Sequence, residues 1–194
     1  MSIPKFNPRT AVLFLMIIII GACRVIFNFN YDIAPLANFS PVGAMALFGG
    51  TYFNKSWKAF AFPLLTLFIS DFILQQTVFK AYGNGFLYNG WYWVYAAFVL
   101  MTLIGKWIIR NVTVHTFLLS VLTCVFIHWI ITDIGVWIGS KIYAQTMGGF
   151  IDCLVAAIPF EGRFLAGTFV YGIVMFGSFE WMKQHYSSLQ LELG

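Results

Sequence analysis

The chain has 194 residues, of which 60% are hydrophobic, 20% are aromatic and only 9% are charged. Soluble domains carry about 25% charged residues, so this composition excludes a sizeable water-exposed domain and predicts one integral membrane domain over residues 1–194. The net charge of +4 comes from basic residues near the ends of apolar segments. The sequence has neither a basic run nor an aromatic–basic groove motif, so a nucleic-acid partner is not expected.

The predicted elements begin with an apolar segment at residues 10–27. Basic residues precede this segment as in a signal peptide, but no convincing cleavage site follows, so we expect a retained helix. The second segment, at residues 41–53, is shorter than the roughly 20 residues that cross a bilayer. Because it is also rich in glycine and alanine, we expect a short, tilted or broken span.

Four further spans follow, together with one ambiguous segment. Residues 148–160 are apolar but too short to cross the bilayer and are flanked by glycine and proline, which favours a re-entrant or surface helix before the last span. The sequence therefore predicts an all-α membrane protein, with six transmembrane helices forming a bundle in the lipid bilayer. The four remaining spans cover residues 57–74, 91–109, 112–138 and 163–182.

Lysine and arginine residues predict the orientation of these spans. If six spans alternate in direction, seven of the 11 basic residues fall on one side of the membrane. The positive-inside rule makes that side cytoplasmic, so both termini are expected inside, in a multi-pass protein of the bacterial cytoplasmic (inner) membrane. The inner residues are Lys5, Arg9, Lys55, Lys58, Lys106, Arg110 and Lys183, and the outer ones are Arg24, Lys80, Lys141 and Arg163.

Most acidic residues fall at the predicted outer end of the spans. A charge at hydrocarbon depth costs about 3 kcal/mol or more and is usually tolerated only when it is paired or faces water. The pattern therefore predicts a polar cavity that is open to the outer compartment. Five of the seven acidic residues lie there, namely Asp32, Asp71, Asp133, Asp152 and Glu161, and Arg24, His128 and Arg163 lie at the same end.

Two carboxylates lie inside apolar runs and are the first candidates for ligand binding. Asp71 is a helix-end carboxylate wetted by the interface, or it holds a cationic or hydrogen-bonding ligand group or pairs with Arg24, and the last two roles are favoured. Asp133 is one helical turn from both Trp129 and Trp137, so a carboxylate between two indoles is expected on one face. Because this face is too polar for lipid, we expect Asp133 to face the interior of the bundle.

The remaining polar and aromatic residues at this end leave two interpretations open. His128 is a packed hydrogen-bonding group or, in the less favoured interpretation, a metal ligand. Arg163 either joins Glu161 in a salt-bridged turn or extends into the cavity as an anion clamp. Trp91 belongs either to an interfacial aromatic belt or to a wall that stacks on a flat ligand. Asp152 faces either the cavity or water.

No catalytic or cofactor-binding motif occurs in the sequence. Hydrolase, zinc-protease and phosphate-loop signatures are missing, so we expect neither an enzyme nor a bound metal or cofactor. Without a phosphate loop, the chain cannot use ATP by itself. Cys23, Cys124 and Cys153 show no C-x-x-C spacing, and we interpret them as small apolar fillers, with a ligand or thiol role for Cys153 as the less favoured alternative.

Four motifs give the sequence a resemblance to a known group of proteins. They are NFSPVGAMALFGG at 38–50, PLLTLFISD at 63–71, TDIGVW at 132–137 and AIPF at 157–160. In this order they resemble a family of small, uncharacterised bacterial membrane proteins labelled as transport proteins. That family is more distantly similar to the substrate-binding subunit, or S component, of energy-coupling-factor vitamin transporters. The resemblance implies six helices and a site that binds vitamins from the outer side.

Two departures from this resemblance bear on the partners. The position of Asp133 is usually asparagine in the family, which puts a shared substrate in doubt. The first span also lacks the A-x-x-x-A pattern with which vitamin-binding subunits dock their ATPase-containing coupling module. Ala46 and Gly50 in the second span form a substitute small-x-x-x-small pattern at best. Both a docked coupling module and a solitary carrier therefore remain open.

The expected function is the binding and transport of a small water-soluble nutrient, of the vitamin or cofactor-precursor class. Segments 38–50 and 148–160 would cap the site and move between states. One rival is a structural or assembly subunit that binds another membrane protein through small residues. An intramembrane enzyme using His128 is the weakest rival, because no nucleophile–base pair can be named. The expected substrate-binding residues are Arg24, Asp71, Trp91, His128, Trp129, Asp133, Trp137 and Arg163.

Overall fold

The computed structural model describes residues 7–29, 39–80 and 85–190, and this part of the chain is helical without any strand. The helices in chain order are α1 (Pro8–Phe29), α2 (Val42–Tyr52), α3 (Ser56–Gln76), α4 (Trp91–Ile108), α5 (Val114–Gly139) and α6 (Met147–His185), and a 3-10 turn follows at Ser187–Leu189. Among the described residues, the five helices other than α2 are long and apolar enough to cross a membrane. The predictions of an all-α fold and of a multi-pass membrane protein are thus confirmed.

Helix α2 is short and occupies the centre of the bundle. Its 11 residues extend about 16 Å at 1.5 Å per residue, roughly half the thickness of the hydrocarbon core. Every residue of α2 except Thr51 is buried, and the helix packs against α3, α4 and α6. The second predicted span is therefore a short core helix, and six full crossings remain a prediction.

Glycines allow α2 and α4 to pack backbone to backbone. A Cβ atom at Gly50 would collide with the carbonyl oxygen of Thr102, and one at Gly105 would collide with that of Leu47. Each helix therefore places a residue without a side chain opposite the main chain of the other. Small residues serve this purpose at helix interfaces in membranes.

Contacts between helix ends show that successive helices alternate in direction. Arg9, at the start of α1, donates hydrogen bonds to the carbonyls of Tyr52 (2.9 Å), at the end of α2, and Leu189 (2.6 Å), after α6. Lys106, near the end of α4, donates to Ser56, the first residue of α3. We call this side of the bundle the Arg9 end. The opposite side, where α1 and α3 end, is called the Arg24 end.

The Arg9 end is held together by a partly buried polar network. The Arg9 guanidinium lies over the ring of Phe179, 5.3 Å from its centroid. The Tyr52 hydroxyl donates to Glu180 Oε1 at 2.6 Å, and Lys183 Nζ donates to the same oxygen at 2.9 Å. The network joins α1, α2, α6 and the chain beyond α6, so that both ends of the described chain meet there.

The last helix corrects one prediction. Residues 148–160 do not form a separate re-entrant or surface helix, because α6 runs without a break from Met147 to His185. Its 39 residues extend about 58 Å, nearly twice the hydrocarbon thickness. Pro159 lies inside the helix, where it removes one backbone donor but does not end the helix. Because α6 packs along α5, the helix continues past the proline that predicted a break.

Candidate functional site

A buried ion pair lies at the Arg24 end, between α1 and α3. Arg24 Nη2 is 2.7 Å from Asp71 Oδ1, and Nη1 donates to Ser70 Oγ at 2.6 Å. The Tyr88 hydroxyl, in the loop between α3 and α4, donates to Asp71 Oδ2 at 3.4 Å. We call Arg24, Ser70, Asp71 and Tyr88 the Arg24 cluster. Of the interpretations of Asp71, the structure contains the pair with Arg24, and the burial of Asp71 excludes a carboxylate wetted by the interface.

The geometry of this cluster follows from the chemistry of its residues. Only 1% of the Asp71 side chain is exposed, so its charge requires a partner inside the bundle. The forked guanidinium of Arg24 contacts the Asp71 carboxylate with one nitrogen and donates to the Ser70 hydroxyl with another. Ser70 in turn donates to the carbonyl of Leu67 at 2.9 Å, which uses up its one proton.

A cavity of about 630 Å³ adjoins the Arg24 cluster. Small-molecule sites in proteins have volumes of roughly 300–1,000 Å³, so this cavity has the size of a ligand site. Tyr88 belongs to both features, because its ring lines the cavity and its hydroxyl contacts Asp71. The cavity is lined by Gln75, Phe79, Gly85, Leu87, Tyr88, Asn89, Gly90, Trp91 and Tyr92.

Two features of the cavity loop bear on its chemistry. Burial, followed by the charge of Asp71, raises the pKa of Tyr88, so this phenol remains a neutral donor at physiological pH. Gly90 has a φ of 79°, the left-handed region that favours glycine, and it turns the chain from the loop into α4. Trp91 follows at once, 41% exposed and on the cavity wall, as a ligand-stacking role requires.

A second group of polar residues lies between α5 and α6. Asp133 is 6% exposed, and its Oδ1 accepts a hydrogen bond from the Cys153 thiol at 3.6 Å. Its other oxygen, Oδ2, is buried and has no hydrogen-bond partner among the described residues. His128 Nδ1 lies 2.9 Å from Glu161 Oε1. We call Asp133, Cys153, His128 and Glu161 the Asp133 cluster, and the prediction that Asp133 faces the bundle interior agrees with its burial.

Aromatic residues hold this second cluster in place. The His128 ring stacks on Phe164, with 4.0 Å between ring centroids. The Trp129 indole donates to the carbonyl of Leu154 at 3.1 Å, and the Trp137 indole donates to that of Ala144 at 2.8 Å. Both indoles predicted to wall a ligand site thus join α5 to the following part of the chain.

The expected single cavity is replaced by two separate clusters. Helix α4 packs against both α3 and α5, and Trp93 of α4 meets α5 so closely that a Cβ atom at Gly135 would collide with its ring. Arg24 and Asp71 therefore lie on one side of α4, and Trp91 is the first residue of α4 itself. His128, Trp129, Asp133 and Trp137 lie on the other side.

Two predicted residues of α6, Arg163 and Asp152, lie outside both clusters. Arg163 is exposed and lies over the ring of Phe160, 6.0 Å from its centroid, which corrects the expectation of an anion clamp. Glu161 pairs with His128 in place of the predicted salt-bridged turn with Arg163. Asp152 is exposed on α6, and Asp32 lies outside the described residues.

Three members of these clusters, Ser70, Tyr88 and Cys153, were not among the residues expected to form the site. Tyr88 lies in a loop, where no periodicity predicts which helix a side chain will contact. Cys153 was interpreted as a filler, although it lies eight residues before Glu161 and so on nearly the same helix face. Because a break was predicted near Pro159, Cys153 and Glu161 were not expected to lie on one continuous helix. All three cysteines are free.

The chemistry that these clusters support is hydrogen bonding and charge pairing. Within residues 7–29, 39–80 and 85–190, no group of three or more histidine, cysteine or acidic side chains is arranged to hold a metal ion. The Arg24 cluster offers paired charges and a phenol beside a cavity. The Asp133 cluster offers a buried carboxylate with a free oxygen.

Comparisons with known proteins place the sequence in a family without assigning it an activity. Neither the curated proteins nor the solved structures contain a match to the sequence. The profile described as "Family of unknown function (DUF6580)" matches residues 4–189, nearly the whole chain. The chain therefore belongs to the family DUF6580.

Proposed function

We propose that this protein binds a small water-soluble solute at the Arg24 end and carries it across the cytoplasmic membrane. The supporting observation is the cavity of about 630 Å³ whose wall residue Tyr88 is bonded to the buried pair of Arg24 and Asp71. Arg24 and Asp71 are not among the residues that line the cavity, so the solute would meet the pair through the Tyr88 hydroxyl, which is bonded to Asp71. Residues of this kind within a membrane bundle are functional candidates by default.

The lining of the cavity indicates the class of solute. Trp91 and Tyr92 offer flat rings for stacking, while Asn89 and Tyr88 offer polar groups. A flat solute with several hydrogen-bonding groups matches this combination, since ligand sites pair apolar walls with a few placed polar groups. Vitamins and cofactor precursors belong to this class, in keeping with the resemblance of the sequence to vitamin-binding subunits.

The position of the small residues in α2 favours a carrier that works without a docked module. Ala46 and Gly50 form the small-x-x-x-small pattern that could have replaced A-x-x-x-A in docking a coupling module. Both residues are buried in the bundle. A Cβ atom at Gly50 would collide with Thr102 of α4, so this glycine is used for internal packing. The same burial keeps Ala46 and Gly50 from serving as the small-residue surface of the assembly-subunit hypothesis.

The binding step is tested by thermal stabilisation of purified protein with a panel of water-soluble vitamins and their precursors. We expect at least one compound to raise the melting temperature of the wild type in a saturable way. Tyr88→Phe, which removes one hydroxyl next to a charged pair, should weaken that binding about tenfold, since hydrogen bonds to charged groups contribute roughly 1.5–3 kcal/mol.

Tyr186→Phe is the matched control, because Tyr186 is 57% exposed and follows α6 at the Arg9 end. It should bind the compound like the wild type. The proposal fails if no compound stabilises the wild type, or if Tyr88→Phe and Tyr186→Phe respond identically. Uptake of the stabilising compound into proteoliposomes then tests translocation, and binding without uptake would limit the protein to a receptor role.

A further inference from the structure

Asp133 is a buried carboxylate whose charge lacks the compensation that the other interior carboxylates have. Asp71 pairs with Arg24, and Glu161 pairs with His128. The one described donor to Asp133 is the Cys153 thiol, which is a weak donor. An unpartnered carboxylate oxygen at membrane depth is costly and calls for a positive charge.

The groups around Asp133 leave a net negative charge. If Asp133 and Glu161 are ionised and His128 is protonated, the cluster carries one negative charge. Among the described residues, no lysine or arginine forms a salt bridge with these carboxylates. Helix α2 also contacts α5, but its titratable residue, Tyr52, lies at the Arg9 end. Other titratable residues in or close to the cluster are Asp152, Cys153 and Arg163 on α6, Cys124 on α5, and Tyr92 and Tyr95 beside Trp93 on α4. Of these, Asp152 and Arg163 carry charge and are exposed.

We propose that Asp133 Oδ2 is the binding site of an exchangeable proton, and that this proton drives the carrier. The coupling rests on the proposed transport function, whereas the site itself does not. A proton from water forms an O–H bond at Oδ2 and returns to water when the acid ionises. A metal ion would need several oxygen ligands, while a proton needs one.

The proposed proton route between Asp133 and water passes the His128–Glu161 pair. Their side chains are 17% and 12% exposed, more than the 6% of the Asp133 residue. His128 lies five residues before Asp133 on α5, and the stacking on Phe164 holds its ring in place. Chains of carboxylate and histidine groups are the usual proton relays of membrane carriers.

The proton site is tested by pH-difference infrared spectra of the purified protein, without any solute. We expect the carbonyl band of a protonated, buried carboxylic acid on acidification, and its disappearance in Asp133→Asn. Asp152→Asn is the matched control, because Asp152 is an exposed carboxylate on α6, next to Cys153 in the sequence. Cys153→Ala should keep the band but shift its frequency, since one hydrogen bond to the carboxyl group is lost.

Two infrared outcomes would overturn the proton site. One is a spectrum in which the wild type shows no such band or Asp133→Asn retains it. The other is a change in the ionised carboxylate band on adding Na⁺ in place of a protonated band, which would assign the site to a metal cation. Cys153→Ala keeps the test informative if Asp133→Asn does not fold.

Coupling is tested separately in proteoliposomes with a compound that stabilises the wild type. An inwardly directed proton gradient should raise its uptake several-fold in the wild type and in Asp152→Asn. Asp133→Asn should still be stabilised by the compound but take it up independently of the gradient. Uptake by the wild type that does not depend on the gradient would contradict proton coupling. If no compound binds, the proposed transport function is contradicted, but the infrared test of the proton site remains valid.

Discussion

The buried ion pair of Arg24 and Asp71 shows how this protein accommodates charge inside an apolar bundle. Arg24 uses one nitrogen for Asp71 and another for Ser70, so most of the polar surface of the pair is bonded. Burying such a pair stabilises a protein little, because desolvation offsets the attraction, but removing one partner leaves the other uncompensated. The pair therefore fixes the positions of α1 and α3 beside the cavity.

Removing one partner should be worse than removing both. We expect Asp71→Ala to lower stability by about 3 kcal/mol, at the lower end of the range for broken buried pairs, because it leaves the partly buried Arg24 guanidinium without a counter-charge. The double variant Arg24→Met/Asp71→Leu should recover at least half of that loss, since neither charge remains. Denaturant or thermal unfolding of the purified variants measures both effects. Additive losses in the double variant would show that the two residues are not coupled.

At the scale of the helices, close backbone contact decides where α2 lies. Gly50 and Gly105 face carbonyl groups of the opposing helix, and a side chain at either position has no space. The polar network of Arg9, Tyr52 and Glu180 then fixes the end of α2 against α1 and α6. A helix of 11 residues is thus held by its surroundings rather than by its own length.

Substitutions of two glycines should separate packing from helix propensity. Gly50→Ala places a methyl group against the main chain of α4, so we expect a loss of about 1–3 kcal/mol or more, typical of overpacking. Gly177→Ala on α6 is the control, because a Cβ atom there meets nothing within 4 Å. It should stabilise α6 by about 0.5–1 kcal/mol. Comparing melting temperatures tests this, and equal effects of the two substitutions would contradict the close packing of α2 and α4.

Helix positions were largely predictable from the sequence, whereas contacts between helices were not. The predicted spans at 57–74, 91–109 and 112–138 agree with α3, α4 and α5 within about two residues, because apolar run length is a local property. The break predicted before the last span was wrong, since it weighed Pro159 without the packing of α6 on α5. Tyr88 reaches Asp71 through a loop whose path no periodic pattern describes.

At the scale of the whole molecule, the alternating helix directions set the two ends apart in composition. The Arg9 end gathers Arg9, Lys106 and Lys183, while the Arg24 end holds the cavity and the two clusters. Although α2 is short, the chain still returns to the Arg9 end before α3 begins. This arrangement has the same alternation as six crossings, and the positive-inside rule predicts that the Arg9 end faces the cytoplasm.

Labelling of single cysteines in intact cells tests this orientation. In a background whose three native cysteines are replaced by serine, Gln145→Cys, in the loop between α5 and α6, should react with a membrane-impermeant thiol reagent. Asn54→Cys and Asn111→Cys, exposed positions in the loops after α2 and α4, should react only after the membrane is permeabilised. Asn54 is the decisive position, because it reports whether the chain has returned to the inner side by the end of α2. Labelling of Asn54→Cys from outside, with Asn111→Cys protected, would place the end of α2 on the outer side and contradict the alternation. Reaction of both from outside would invert the whole bundle and place the cavity toward the cytoplasm.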